Sequence, residues 1–241
     1  MSDAPPHRDP SSPYWSFSGL ALGAQQALPA VPGLVAFGLA VGTTAARKGL
    51  GLFDAVLMNG LVFAGASQMV AMEIWPDRLT LAAIAMLALV TATVNARLLL
   101  MGASLRPWLG SLPAWQSYPM LHLLTDPGWL IAMRYRAGGG SDAAVLLGGS
   151  LMFFAAWNAA ATAGYLLGAQ IANPRAIGLD LVMPIFFAIM LIPLWRGRRR
   201  GVAWLIAGAV ALAVERLVPG WWFIIAGAMA GAVAEGLSDD D

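Results

Sequence analysis

Residues 142–168 read DAAVLLGGSLMFFAAWNAAATAGYLLG, and after Asp142 this stretch contains no charged side chain. A helix of about 20 apolar residues crosses the hydrocarbon core of a bilayer. Further apolar segments cover residues 22–45, 52–75, 79–103, 177–195, 201–217 and 220–237. The sequence therefore predicts an all-α, polytopic membrane helical bundle with about seven spans.

The composition supports this fold class. Of the 241 residues, 59% are hydrophobic and 11% are charged, against about 25% charged residues in an ordinary soluble domain. The net charge is +1, and the basic residues lie mostly at segment ends, which argues against a nucleic-acid surface. Cysteine is absent, as are the motifs of metalloproteases, serine hydrolases and ATPases. We therefore expect no enzyme activity, no metal and no cofactor.

The chain has three parts by composition. Residues 1–20 open with a Pro- and Ser-rich stretch that lacks an apolar core, which predicts a disordered tail and not a cleaved signal. Residues 21–237 form one predicted transmembrane domain, and residues 238–241 form an acidic tail. The stretch 118–133 is short for a crossing and carries Asp126 and Pro127. We expect a re-entrant or broken segment there.

Arginine and lysine mark the cytoplasmic side of short loops. The run RGRRR at residues 196–200 predicts a cytoplasmic connection between the fifth and sixth spans, and hence a cytoplasmic C-terminus. If 118–133 enters and leaves on one face, the first span runs inward and the fourth runs outward. The basic residues of the earlier loops then share the cytoplasmic side: Arg47, Lys48, Arg97, Arg106, Arg134 and Arg136.

An internal similarity relates two parts of the chain. An offset of 126 residues aligns three pairs that follow the same span, loop, span layout: Gly38 with Gly164, Gly42 with Gly168, and Asp54 with Asp180. With the orientation above, the two parts would be inverted relative to each other, as in many secondary transporters. The alternative is a chance alignment, because glycine and alanine are abundant.

Polar side chains inside apolar spans are the candidate functional residues. Each costs about 2 to 3 kcal/mol in hydrocarbon, so such a group usually faces a cavity or a helix partner. Small residues in the second span allow the helix to unwind and free backbone groups for an amino acid's ammonium or carboxylate. The alternative is close helix packing. The candidates in this span are Asn59, Gly65, Ala66, Ser67 and Gln68.

The third and fourth spans add four candidates. Asn95 and Arg97 lie in the third span. Arg97 either extends to the headgroups or serves as a fixed cation for a substrate carboxylate or an acidic side chain. In the fourth span, Trp157 and Asn158 either line a pocket for an apolar side chain or pack with one interhelical hydrogen bond.

Asp126 is the acidic residue of the short stretch 118–133. An ionisable group in an apolar segment is a candidate for proton coupling. The alternative is a helix N-cap, because Thr125 or Asp126 followed by Pro127 is a common way to open a helix. Both interpretations can hold together.

Several motifs occur in order along the chain. They are LPAVPGLVAFGLA in the first span, FAGASQMV in the second, NARLLLMGASLR closing the third, LTD before the next element, and a Trp in the fourth. In this combination the chain resembles the AzlC family, large subunits of bacterial branched-chain amino-acid exporters, over roughly residues 20–235. The positions that match the family's motifs are Gly65, Ala66, Ser67, Gln68, Asn95, Arg97 and Asp126.

The resemblance implies export of valine, leucine or related amino acids across the bacterial inner membrane in exchange for protons. It also implies a small AzlD-type membrane subunit as partner. Two positions depart from the pattern: Leu98 stands where members often have His, and Pro127 where an acidic residue often follows. If the His or the acidic residue carries protons in other members of the family, the mechanism of proton coupling differs in this chain.

Two other functions remain open at the level of sequence. One is an exporter of another small amphipathic metabolite, and the other is a structural or regulatory membrane subunit. A transporter predicts a solvent-reachable cavity that meets Gln68, Asn95 and Arg97. A scaffold predicts the same groups buried in closed helix contacts.

Overall fold

The computed structural model describes residues 15–168 apart from 77 and 79, residues 197–219 and 222–238, and isolated positions between 169 and 196. The predicted fifth span, with Asp180, lies outside the described residues, and so do most of the N-terminal tail and the last three residues. The helices are α1 (Phe17–Ala27), α2 (Val31–Arg47), α3 (Leu52–Leu61), α4 (Gly65–Glu73), α5 (Leu81–Leu109), α6 (Ala114–His122), α7 (Asp126–Ala137), α8 (Ala144–Gly168), α9 (Arg198–Leu217) and α10 (Trp222–Ser238).

Three helical stretches are long and apolar enough to be candidate membrane spans. They are Phe17–Arg47, Leu81–Leu109 and Ala144–Gly168, while Leu52–Leu61 and Trp222–Leu237 are shorter apolar helices. The all-helical class is confirmed by this architecture. A total of about seven spans stays a prediction.

The chain divides into two compact units. The first comprises Met1–Gly65 and Ala96–Ile171, and the second comprises Ala66–Asn95 and Ala172–Asp241. The first boundary falls just inside α4, and the other falls inside the continuous helix α5. The candidate residues on either side of these boundaries therefore belong to different units.

In the first unit, α1 and α2 form one broken helix. A single 3-10 turn, Leu28–Ala30, joins them and contains Pro29. Proline removes a backbone donor and disfavours a continuous α-helix before it. A proline of the first span thus coincides with the interruption between α1 and α2.

The α1–α2 helix packs parallel to α8 through small residues. A Cβ on Gly38 would lie 2.9 Å from Ala160 Cβ, and a Cβ on Gly164 would lie 2.7 Å from Leu39 Cα. Further along both helices, a Cβ on Gly168 would lie 2.6 Å from Thr43 Cα. Because the residue numbers of the contacting pairs rise together in both helices, the two helices run in the same direction. Glycine lets their backbones touch.

Parallel helices place two positive N-terminal ends side by side, and Asp142 lies between them. The Asp142 side chain is 3% exposed and accepts a hydrogen bond from the Ala144 N–H at 2.9 Å, at the start of α8. It also accepts one from the Ser16 hydroxyl. Ser16 in turn caps α1 by accepting from the Gly19 N–H at 2.8 Å. One carboxylate thus compensates both helix ends.

This arrangement contradicts the predicted orientation. The first and fourth spans run in the same direction, so the paired glycines do not mark an inverted repeat of these helices. They are the positions at which two parallel helices touch, while the aligned Asp180 lies outside the described residues. The physical reason is backbone contact, which selects small residues at matching heights on both partners.

The basic residues also lie differently from the prediction. Arg47 is the last residue of α2 and Lys48 follows it, beside the end of α8, whereas Arg134 and Arg136 lie in the last turn of α7, before the start of α8. Arg106 lies at that same starting end, because Trp108 Nε1 donates to the Ser141 carbonyl at 3.2 Å. The prediction that all of these residues share one side is therefore wrong.

Residues 114–137 form a helical hairpin. Its first helix, α6, begins after α5 ends, and its second, α7, ends just before α8 begins. The two ends of the hairpin lie together, because Trp108, near the end of α5, donates from Nε1 to the Ser141 carbonyl, just before α8, at 3.2 Å. The prediction that this segment is broken is confirmed, while its re-entrant path stays a prediction.

In the second unit, α9 and α10 pack against each other. A Cβ on Gly227 would lie 2.9 Å from Ala211 Cβ, and one on Gly231 would lie 2.9 Å from Ala207 Cβ. The residue number rises in α10 as it falls in α9, so the two helices are antiparallel. The GxxxG spacing in the last span therefore serves helix contact within the chain.

The glycine contacts predict a sharp difference between two substitutions in α2. A Cβ on Gly42 would overlap the Ala161 carbonyl and lie 2.6 Å from Tyr165 N, whereas a Cβ on Gly33 meets nothing within 4 Å. We expect Gly42→Ala to lower the free energy of unfolding by about 1 to 3 kcal/mol and Gly33→Ala to leave it unchanged or slightly raised. Thermal unfolding of both variants in detergent tests this. Equal midpoints would contradict the close contact of α2 with α8 at Gly42.

Candidate functional site

The second predicted span is broken between α3 and α4. Phe63, in the break, has a φ of 42°, a left-handed conformation that is strained for a bulky residue and costs on the order of 1 to 3 kcal/mol. Its ring is 4% exposed and packs edge-on against Phe154, with ring centroids 5.1 Å apart. The break ends α3 after the Val62 N–H donates to the Met58 carbonyl at 3.1 Å.

Gly65 lies directly against the indole of Trp157. A Cβ there would lie 2.8 Å from Trp157 Cζ2 and 3.1 Å from Phe37 Cε1. Trp157 is 3% exposed and meets Phe37 edge-on, with ring centroids 5.4 Å apart. The structure thus brings two predicted site residues together, but as a closed aromatic contact and not as an open pocket wall.

The second polar feature of this unit is an ion pair inside the helices. Arg97 Nε lies 3.0 Å from Asp126 Oδ1, with side-chain exposures of 37% and 21%. Arg97 sits near the middle of the 29-residue α5, and Asp126 is the first residue of α7. Of the two interpretations of Arg97, the structure supports the fixed cation paired with an acid.

Thr125 caps the helix that begins at Asp126. Its hydroxyl oxygen accepts from the Gly128 N–H at 3.2 Å, and Pro127 occupies the first turn. The predicted N-cap is therefore confirmed, with Thr125 as the capping residue. Because Asp126 does not have to cap the helix, its carboxylate is available to Arg97.

The second unit contains its own polar pair. Asn95 donates from Nδ2 to the Ser67 hydroxyl oxygen at 3.0 Å. Ser67 and Gln68 are 1% and 2% exposed, and Ala66 is 5% exposed. These predicted site residues line the start of α4 as a buried group, with Asn95 half-buried beside them.

Two predicted residues have different surroundings. Asn59 is buried in α3 at 2% exposure. Asn158 donates to the Phe154 carbonyl of its own helix at 2.9 Å, a backbone contact one turn back. The Asn158 amide therefore bonds within α8. The structure shows this intrahelical bond for Asn158 in place of the interhelical one that the sequence suggested.

Sequence reasoning missed Ser150 and Gly128. Ser150 is fully buried on α8, and its Oγ lies 3.7 Å from the position of a Cβ on Gly128, in the first turn of α7. Within the described part of the chain, Ser150 Oγ and Trp157 Nε1 have no hydrogen-bond partner. The signal was present, because Ser150 is a hydroxyl inside a candidate span that carries no charged side chain.

Comparison with known proteins gives one match. The family model described as AzlC protein matches residues 29–171, more than half of the chain. No curated protein and no solved structure matches. The matched residues include α2 to α8, and with them the ion pair, the aromatic contact and the polar pair.

The aromatic contact makes a prediction about Gly65. Gly65→Ala places a methyl group against the Trp157 ring, so we expect the midpoint of thermal unfolding to fall, by the equivalent of about 1 to 3 kcal/mol. Adding Trp157→Phe removes the ring atoms that collide and should restore part of that loss. No recovery in the double variant would contradict the contact.

The ion pair makes a second prediction. Removing one charge leaves the other uncompensated in a half-buried position, so Arg97→Ala and Asp126→Ala should each destabilise the protein. The double variant should lose less than the sum, with a coupling energy of about 1 kcal/mol. Unfolding of the four proteins in detergent measures this coupling. Additive losses would mean that the two charges do not interact.

Proposed function

The chain belongs to the AzlC family, which is associated with branched-chain amino-acid transport, and on that premise we propose that it is the large subunit of a secondary exporter of valine, leucine and related amino acids. The bacterial inner membrane is its proposed location, with the C-terminus in the cytoplasm. A small AzlD-type subunit is its proposed partner. The family is associated with transport and is not an enzyme family.

The Arg97–Asp126 ion pair is the observation that carries this proposal. Charged residues within a candidate span are costly in a bilayer and are kept where they serve a substrate or ion pathway. Here the pair joins the middle of α5 to the first residue of α7, the second helix of the hairpin, at 3.0 Å. Both residues remain partly exposed, as a gate requires. We assign the pair the role of an electrostatic gate, with Asp126 as the proton-coupling residue.

The helix break supports alternation between two conformations. Phe63 holds a strained backbone conformation, and such strain recurs at switch regions and ligand clamps. In this state Trp157 is closed on Gly65. We propose that the α3–α4 break opens during transport and that Trp157 then contacts the branched side chain of the substrate.

The buried group at the start of α4 is the proposed contact for the polar head of the amino acid. Ser67 and Asn95 are already joined by a hydrogen bond, and Gln68 is buried in the next position of α4. Hydroxyl and amide groups both donate and accept hydrogen bonds. They therefore suit a zwitterion, which presents an ammonium donor and a carboxylate acceptor.

Efflux from cells tests the proposed function. The chain is co-expressed with its small partner in bacteria that lack branched-chain amino-acid exporters, and the cells are loaded with a valine- or leucine-containing dipeptide. We expect partner-dependent efflux that falls at least about tenfold in Gln68→Ala and in Arg97→Ala, the consequence of losing about 1.4 kcal/mol. Efflux of labelled amino acid over time is the measurement.

Matched variants control this experiment. Gln26 and Arg134 are exposed residues of α1 and α7, so Gln26→Ala and Arg134→Ala should retain wild-type efflux at equal protein levels. Wild-type efflux no greater than that of the empty vector would reject branched-chain export. It would favour a structural or regulatory subunit, or another cargo.

A further inference from the structure

Helices α5 and α7 contact each other at three heights. The contacts are an ion pair, a hydrogen bond and a pair of aromatic rings: Arg97–Asp126, Ser104–Trp129 and Trp108–Tyr135. The residue numbers rise together in both helices, so α5 and α7 run parallel over this stretch. The acid and the indole of the first two contacts are three residues apart on α7, which places them on one face of that helix.

The hydrogen bond lies between the other two contacts and has fixed donor and acceptor roles. Trp129 donates from Nε1 to Ser104 Oγ at 2.8 Å. An indole N–H can only donate, and the Ser104 hydroxyl donates its own proton to the Met101 carbonyl at 2.7 Å. The Ser104 oxygen is therefore left to accept. Because an unpaired N–H is costly inside a membrane span, this bond favours one rotation of α7 about its axis.

The part of α7 that follows this bond is fastened by further contacts. The Tyr135 hydroxyl oxygen accepts from the Asp142 N–H at 3.3 Å, and Arg136 donates from Nη1 to the Gly140 carbonyl at 3.0 Å. The Arg136 guanidinium also lies 6.0 Å from the centre of the Trp108 ring. None of these contacts uses a carboxylate, so protonation at the start of the helix leaves them in place.

The first turn of α7 is held to α5 by charge. Asp126 faces Arg97 at 3.0 Å, and the two side chains keep exposures of 21% and 37%. The neighbouring helices α1 and α8 carry no charged side chain. The other titratable groups of the surrounding helices are Tyr118 and His122 of α6, Arg106 of α5, Tyr165 of α8, and Arg134, Tyr135 and Arg136 of α7. Among the three contacts, the ion pair is the one that protonation of a carboxylate opens.

We infer that Trp129 and Ser104 are the positioning residues of the proposed gate. Their hydrogen bond fixes α7 on α5 about one turn after Asp126, which sets the carboxylate opposite Arg97. When the ion pair opens, the hydrogen bond keeps α7 attached, so the movement is limited to the first turn of the helix. This inference rests on the proposed function and adds to it the two residues that keep the gate in register.

Double-mutant cycles on the purified full-length chain test the positioning. The coupling between Arg97 and Asp126 is measured by unfolding in detergent, with Arg97→Ala and Asp126→Ala singly and together, in the wild-type background and again in Trp129→Phe. Trp129→Phe keeps an aromatic ring but removes the N–H donor. We expect the coupling to fall to about half of its wild-type value or less, because α7 no longer holds the carboxylate opposite the guanidinium.

Matched variants separate the hydrogen bond from the loss of an indole. Trp115 lies in α6 and is 73% exposed, so Trp115→Phe makes the same chemical change elsewhere in the hairpin and should leave the coupling unchanged. Ser104→Ala removes the acceptor and should lower the coupling as Trp129→Phe does. Ser104→Thr keeps a hydroxyl at an exposed position and should retain the coupling.

Efflux gives the functional readout. In cells loaded with a leucine-containing dipeptide, Trp129→Phe and Ser104→Ala should lower partner-dependent efflux about fivefold at equal protein levels, the effect of one lost neutral hydrogen bond. Ser104→Thr and Trp115→Phe should transport as the wild type does.

The outcomes separate the positioning residues from the function. A coupling that is unchanged in both Trp129→Phe and Ser104→Ala would overturn the inference, even if both variants are less stable, since a purely structural bond lowers stability without altering the ion pair. If Trp129→Phe does not fold, Ser104→Ala decides, because it changes one exposed hydroxyl. A wild-type chain that transports no leucine would reject the proposed function, whereas the coupling measured on the purified chain would still decide whether Trp129 and Ser104 position the pair.

Discussion

The close parallel packing of α1–α2 against α8 is the constraint on which the rest of the first unit depends. Backbone contact along two helices requires small residues on both, and Gly38, Gly42, Gly164 and Gly168 supply them. Parallel helices also bring two positive ends together. The buried Asp142 compensates both, with Ser16 as the link to α1. Without this carboxylate the two ends would repel each other.

With α8 held in this way, the helices that pack against its middle are the ones that are broken. The chain leaves α3 at a left-handed Phe63 that packs on Phe154, and the α6–α7 hairpin turns at Thr125 near Ser150. Backbone groups freed at mid-helix are expensive in hydrocarbon, and transporters use such breaks to meet polar substrates. The apolar helix α8 thus packs against two helix breaks, the one after α3 and the one before α7.

The candidate site was partly readable from the sequence because polarity inside an apolar span is rare. That reasoning found Arg97 and Asp126, which form an ion pair, and Ser67 and Asn95, which share a hydrogen bond. It left open whether Trp157 lines a pocket or packs against a neighbouring helix, and the structure shows the ring closed on Gly65. It also passed over Ser150. A single serine in an apolar span does not stand out in the sequence, and only the structure shows that its buried hydroxyl has no hydrogen-bond partner within the described residues.

The sequence by itself determined the class of the protein, since long uncharged segments cannot be solvated in any other way than by lipid or by each other. It also indicated which spans are broken, because proline and glycine act locally, although the break in the second span falls at Phe63 and the residues Gly65–Gln68 are helical. The relative direction of the helices was decided only by the tertiary structure. The counting of basic loop residues predicted that α2 and α8 run in opposite directions, whereas their glycines meet in parallel. A glycine pattern records that two helices touch, but the same spacing serves parallel and antiparallel contact, and only the packed partners distinguish the two.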